Sequence, residues 1–207
     1  MKNAVFAFLA ACALVAPAAM AQITPPDVLA KSVTDEVLAL IRADKELQAG
    51  NPKRIAELIE TKIAPHFSFT LMTQLAMGRN WNQANAQQKK ALTAEFRALL
   101  VRTYTTAFTQ YSNQTIEYRA LKLAPADTDV IVRSQIRQPG GPPVSVDYRM
   151  DKSDTGWKVY DVRIEGISLV ENYRNTFNSE VQKGGIDGLI KSLAEKNKAL
   201  LAQAPAK

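Results

Sequence analysis

Catalysis needs nucleophiles, paired acids or metal ligands, and this 207-residue chain offers few of them. It has one histidine, His66, and one cysteine, Cys12. That removes zinc clusters and multi-histidine metal sites. A Ser-His-Asp site would depend on His66, yet no Gly-x-Ser-x-Gly turn presents a serine. His66 lies between Pro65 and Phe67 and reads as a loop or capping residue. The best carboxylate pair is Asp161 and Glu165. Four residues apart on a strand they share a face but stand about 13 Å apart. That is too far for joint work on one bond. They read instead as partners of Arg149 and Arg163 in a solvated charge ladder. Gly140-Gly141-Pro142-Pro143 reads as a hairpin turn and Gly184-Gly185 as a helix stop, so neither cradles phosphate.

The apolar inventory is richer. Inward-facing stripes carry Phe69, Met72, Phe96, Leu100, Tyr104 and Phe108, then Val132, Val146, Tyr148, Tyr160, Val162 and Ile164, then Leu169, Val170, Tyr173 and Phe177. These are the candidate walls of a cavity for a hydrophobic ligand. The same stripes would also serve a solid core, and periodicity alone leaves both readings open.

The elements that position them follow from spacing. Pro25 and Pro26 open a helix over 25–48, and a second follows Gly50-Asn51-Pro52 through Ile63. A short third spans 68–77 and stops at Gly78, and a long fourth covers 87–111. The period then changes to two. Strands are predicted around Ile116–Tyr118, Val130–Arg137, Val144–Asp151 and Tyr160–Glu165, with turn residues between them. Short connections favour an antiparallel meander with one apolar face and one charged, wet face. In 161–174, DVRIEGISLVENYR, the strand gives way to a helix after Gly166. The glycine is expected to let the chain leave the sheet so that the helix lies over the cavity mouth. Two helices separated by Gly184-Gly185 complete the chain. The fold class is α+β: a four-stranded or slightly larger antiparallel curved sheet, with helices before and after it enclosing an apolar cavity.

Residues 1–21 read as a cleaved signal peptide, with Lys2, an apolar run over 4–16 and the A-x-A site Ala19-Met20-Ala21. Leu9-Ala10-Ala11-Cys12 resembles a lipoprotein box, but the apolar region before Cys12 is short. Residues 22–207 are expected to form one domain without disulfides, since cleavage after Ala21 would remove Cys12. The net charge of +6 suits anionic surfaces such as membrane phosphates. Its basic residues are dispersed, which argues against nucleic acid.

Several blocks then converge on a known family. "LAMGRNW" with "QQKKALTAEFRALLVRTY", "GGPPVSVDYRM", "GWKVYDVRIEGISLVENYRNTF" and "KGGIDGLIKSL" together resemble the MlaC family of toluene-tolerance, periplasmic phospholipid-binding proteins. The resemblance covers His66 to Lys198. It implies a periplasmic, monomeric carrier that is not an enzyme and has no cofactor. Its cargo is phospholipid, held between sheet and helices, and it serves outer-membrane lipid asymmetry. The partners it implies are an outer-membrane MlaA–porin complex and MlaD of an inner-membrane ABC transporter complex. The chain departs from the family pattern at Ser68, where many relatives carry an acidic residue. Two other classes stand beside this reading. One is a small α+β cone-type enzyme for a hydrophobic substrate, which would turn carboxylates into the cavity. The other is an interaction module or periplasmic chaperone with a filled core.

Overall fold

A computed structural model of the chain describes residues 23–109, 114–138 and 140–203, with side chains at 105–109 and 203 left out. The expected signal segment, Cys12 and the Phe108 side chain lie outside the described parts.

Helix α1 (Pro26–Ala43) opens with proline at its first position, where the missing N–H costs nothing. The expected helix over 25–48 is broken at Asp44. The Asp44 carboxylate accepts from the Glu46 and Leu47 N–H groups at 2.8 and 3.2 Å and so caps a separate short helix, α2 (Lys45–Gln48). Arg54 grips the same carboxylate at 2.8 and 3.2 Å and holds its pKa below the usual range. Asn51 caps α3 (Pro52–Leu58), which widens into a π-turn (Ile59–Ile63) and a 3-10 turn (Ala64–His66) before Phe67. Val37, Ile41, Leu47, Ile55, Leu58 and Ile59 bury themselves together between these helices. Helix α4 (Phe69–Met77) ends at Gly78, whose φ of 53° suits glycine. A 3-10 segment (Gly78–Gln83) leads into α5 (Ala86–Thr109).

The sheet has five strands in sequential antiparallel order: β1 (Thr115–Tyr118), β2 (Asp129–Arg137), β3 (Val144–Ser153), β4 (Gly156–Ile164) and β5 (Ile167–Ser168). Opposite charges face each other across it, with Asp147 between Arg133 and Arg163, and Arg149 against Asp161. The fourth strand starts at Gly156, earlier than its alternation suggests, because of a bulge. Asp161 pairs with Arg149 but Val159 pairs with Met150, so Tyr160 is an extra residue. Tyr160 was expected on the apolar face with Val162 and Ile164. It turns instead to the charged side, where its hydroxyl bonds Asp129 and Arg149 lies 4.8 Å over its ring. Val159 and Trp157 take the apolar face in its place.

That apolar face is covered by α1. Leu29 and Ala30 pack on Val130, Val132, Met150, Trp157 and Val159. Beyond Ser168, α6 (Leu169–Gln203) runs on through a break at Gly185. Its first half lies against the middle of α5, and its second half folds back along the same helix. Gln88 bonds Asp187 at 2.9 Å, and the Asn197 amide donates to the Glu95 carbonyl at 2.9 Å. The largest cluster of buried side chains joins α4, α5 and both halves of α6.

Candidate functional site

The strand-to-helix turn does not simply leave the sheet after Gly166. Ile164 pairs with Ile167, so Glu165 and Gly166 form a two-residue hairpin loop. Both have positive φ, 50° and 79°, as the type I′ connection requires. Glu165 is a costly choice there, and its bonds compensate. Its N–H donates to the Ser145 carbonyl at 3.0 Å, and its carboxylate accepts from the Ser145 N–H. The chain then makes β5 and only afterwards enters α6.

The start of α6 is built on Asp161. This residue is 2% exposed, so it is no rung of a wet ladder. Its Oδ2 accepts from the Ser168 hydroxyl at 2.8 Å, and its Oδ1 accepts from the Val170 N–H at 3.2 Å. Ser168 in turn accepts from the Glu171 N–H at 3.0 Å. Arg163 stands 3.6 Å from Asp161 and 3.7 Å from Glu171. Arg149, the expected partner of Asp161, leans to Asp129 at 3.8 Å. A signal for this cap was present in the sequence: Ser168-x-x-Glu171 is a capping-box pattern.

Between the hairpin, the start of α6 and α5 lies an apolar hollow of about 270 Å³. Tyr104, Val162, Ile164 and Leu169 line it, with Glu165, Ile167, Ser168 and Asn172. Ile164 and Ile167 are 42% and 68% exposed and form an apolar lip. A second hollow of about 120 Å³ follows along the α5–α6 seam and takes in Tyr173 and Phe177. Among the described residues, six of the sixteen candidates therefore line a hollow.

The others have different places. Met72, Phe96, Leu100, Tyr160 and Val170 are buried in the helical cluster, and Phe69 packs on it. Val132 and Tyr148 lie with the face that α1 covers, and Val146 is buried. The Tyr148 phenol stacks on Tyr118 at 6.4 Å, and burial pushes its pKa well above the usual tyrosine range. The expected wide cavity is thus filled by α1 over much of the sheet. Only the end near Val162 and Ile164 opens to the hollow.

His66 sits in the 3-10 turn before Phe67, where burial and then Lys158 lower its pKa while Glu36 opposes them. Among the described residues no cluster of acids, histidines and cysteines could hold a metal ion. Among the described residues Glu165 is the one carboxylate lining the larger hollow, and it is engaged with Ser145.

A small α+β fold with an apolar hollow between the open end of a one-sided sheet and two long helices defines a class: proteins that hold a hydrophobic ligand between sheet and helices. The particular family follows from comparison. The chain belongs to the MlaC family, whose profile, described as MlaC protein, matches residues 31–195. It is 25% identical over 194 residues to the intermembrane phospholipid transport system binding protein MlaC of Haemophilus influenzae, covering 92% of this chain and 90% of that one. It is 25% identical over 192 residues to the toluene tolerance protein ttg2D of Pseudomonas putida, covering 90% and 85%. Among solved structures it resembles the phospholipid-binding protein of Ralstonia solanacearum, determined in complex with a phospholipid. The TM-score is 0.80 and the identity 41%, covering 86% of this chain and 99% of that one.

Proposed function

We propose that the protein is a phospholipid carrier of the intermembrane transport type. The observation that carries this reading is the 41% identity and matching fold shared with a protein whose structure holds a phospholipid. The apolar hollow at the corresponding class of site supports it. A carrier of this kind needs no catalytic group. A two-chain lipid has roughly 30 methylenes at about 0.8 kcal/mol each, so carrying it bare through water costs over 20 kcal/mol. An apolar slot removes that cost on both sides of the transfer, and it needs little chemistry for the head group. The chain shows no nucleotide-binding motif, so direction comes from partners.

The finer reading goes further. Residues 1–21 export the chain to the periplasm and are removed there, and 22–207 act as one domain. Lipid passes between an outer-membrane MlaA–porin complex and MlaD at the inner membrane. The lipid enters beside Ile164, Ile167 and Leu169, and its acyl chains displace packing around Tyr104, Tyr173 and Phe177. Catalysis is not part of this reading.

Native mass spectrometry of the gently purified protein, with extraction and identification of lipid, tests it. Stoichiometric phospholipid is the expected result. Leu169→Glu, which puts a carboxylate in the hollow, should empty the protein while leaving it folded. A folded wild-type protein that neither retains nor takes up phospholipid would overturn the carrier reading.

A further inference from the structure

The two hollows are lined by neighbouring stretches of α5 and α6. Tyr104 and Asn172 border the first, and Leu99 and Tyr173 border the second. Along α6, Leu169 to Glu180 spans both, about 16 Å at 1.5 Å per residue. The far wall of the second comes from the returning half of α6, through Leu189 and Leu193, which are 1% and 4% exposed. The second hollow, about 120 Å³, thus runs from its rim down to well-buried core residues, an apolar floor for a chain end.

A pair of phenols stands where the two linings meet, Tyr104 on the first hollow and Tyr173 on the second. The Tyr173 ring meets Phe96 edge-on at 5.0 Å and Phe177 at 5.8 Å. The exposed Thr103 side chain and Tyr104, both on α5, lie near its hydroxyl. Burial raises the pKa of both phenols, so both stay neutral at physiological pH. The polar contact of a neutral phenol with an exposed threonine is a weak tether. Burying one or two methylenes of a chain outweighs it.

We propose that the second hollow is an extension for an acyl chain, shut off in the empty protein by the Tyr104–Tyr173 pair, and that this seam sets the longest chain held. The proposal rests on the phospholipid-carrier reading. A chain entering past Leu169 reaches the partition first. Rotation of the Tyr173 ring joins the two hollows, and the chain end then lies against Leu99, Phe177, Leu189 and Leu193. Glu180 and Lys196 mark the outer rim, where the slot meets water.

The test fills the second hollow from its rim. Ser192 lines it and is only partly buried, so Ser192→Leu, Ser192→Phe and Ser192→Trp form a graded series. Protein stripped of lipid is equilibrated with vesicles holding equal amounts of dilauroyl- and distearoyl-phosphatidylcholine, and native mass spectrometry reads the bound ratio. Occupancy by the short lipid should persist. The long-to-short ratio should fall by about tenfold or more in the bulkier variants, the factor that two unburied methylenes correspond to. Tyr173→Phe, which removes the phenol hydroxyl near Thr103 and keeps the ring, should speed uptake of the distearoyl lipid several-fold over the dilauroyl one. An unchanged ratio in folded Ser192→Phe or Ser192→Leu protein would overturn the extension. Equal acceleration of both lipids by Tyr173→Phe would overturn the partition. Failure of the wild type to bind either lipid would instead strike the carrier reading itself.

Discussion

At the scale of single residues, the clearest dependence of fold on one side chain is at Asp161. It serves the Ser168 hydroxyl, the Val170 N–H and the Arg163 guanidinium from a position 2% exposed. Asp161→Ala strands these groups at the start of α6, and each buried donor left unmet costs about 1–3 kcal/mol. A total loss of about 2–3 kcal/mol is expected, with Asp161→Asn losing less because it keeps an acceptor. Urea unfolding measures this, and a loss below about 0.5 kcal/mol for the alanine variant would refute the role. The sequence reading placed Asp161 on a wet ladder for a physical reason. Alternation says which face a residue is on, not what lies over that face. The cover comes from a hairpin whose turn pair is Glu165-Gly166 rather than the usual Asn-Gly, so the turn signal was weak. The residues bordering the hollows were half legible. Leu169, Tyr173 and Phe177 stand out by helical spacing. Ser168, Asn172 and Leu99 do not, because lining depends on the fit between elements.

At the scale of elements, helical and alternating periods predicted most of the boundaries to within a few residues. The misses have local causes. Asp44 splits the first helix because its carboxylate caps the next turn and is held there by Arg54. The bulge at Tyr160 hides the first part of β4 by putting the tyrosine in false phase with Val162 and Ile164. Gly184-Gly185 was read correctly as a break, and the structure assigns the two glycines opposite roles. Gly185 has φ 68° and ψ −171°, a region open essentially to glycine alone, and it turns the second half of α6 back over α5. Gly184 is helical, and an added Cβ would meet nothing within 4 Å at either position. Gly185→Ala should therefore destabilise by about 1–3 kcal/mol through backbone strain alone. Gly184→Ala should stabilise by up to about 1 kcal/mol. Thermal melting of the two variants compares the signs. The same sign at both positions would show that the break is not held by Gly185.

At the scale of the whole molecule, the deciding quantity is volume. The larger hollow, about 270 Å³, falls at or below the roughly 300–1,000 Å³ of sites for drug-sized ligands, and a phospholipid is larger still. On the proposed carrier function the protein expands to take its cargo. The clusters of buried side chains suggest where it yields. The α1–α3, α1–sheet and α4–α6 side chains form three buried clusters that meet at their margins, through Phe67 and Val101, and the hollow lies where β4, β5, α5 and α6 meet. Expansion breaks packing contacts, and acyl burial offsets that loss, so most of the 20 kcal/mol of gross burial never appears as affinity. What remains appears as stabilisation of the loaded form by RT ln(1 + [L]/Kd), about 2.7 kcal/mol when free lipid is at one hundred times Kd. For a domain of this length each kcal/mol moves the melting temperature by about 2–4 °C. Stripping the lipid should thus lower Tm by about 5–10 °C. Adding back short-chain phosphatidylcholine should restore it, and Leu169→Glu should melt like the stripped protein with or without lipid. Differential scanning calorimetry with lipid occupancy measured in parallel decides the matter. Equal melting temperatures for loaded and stripped wild-type protein would mean that the cargo lies on a preformed surface and that the α5–α6 seam does not open for it.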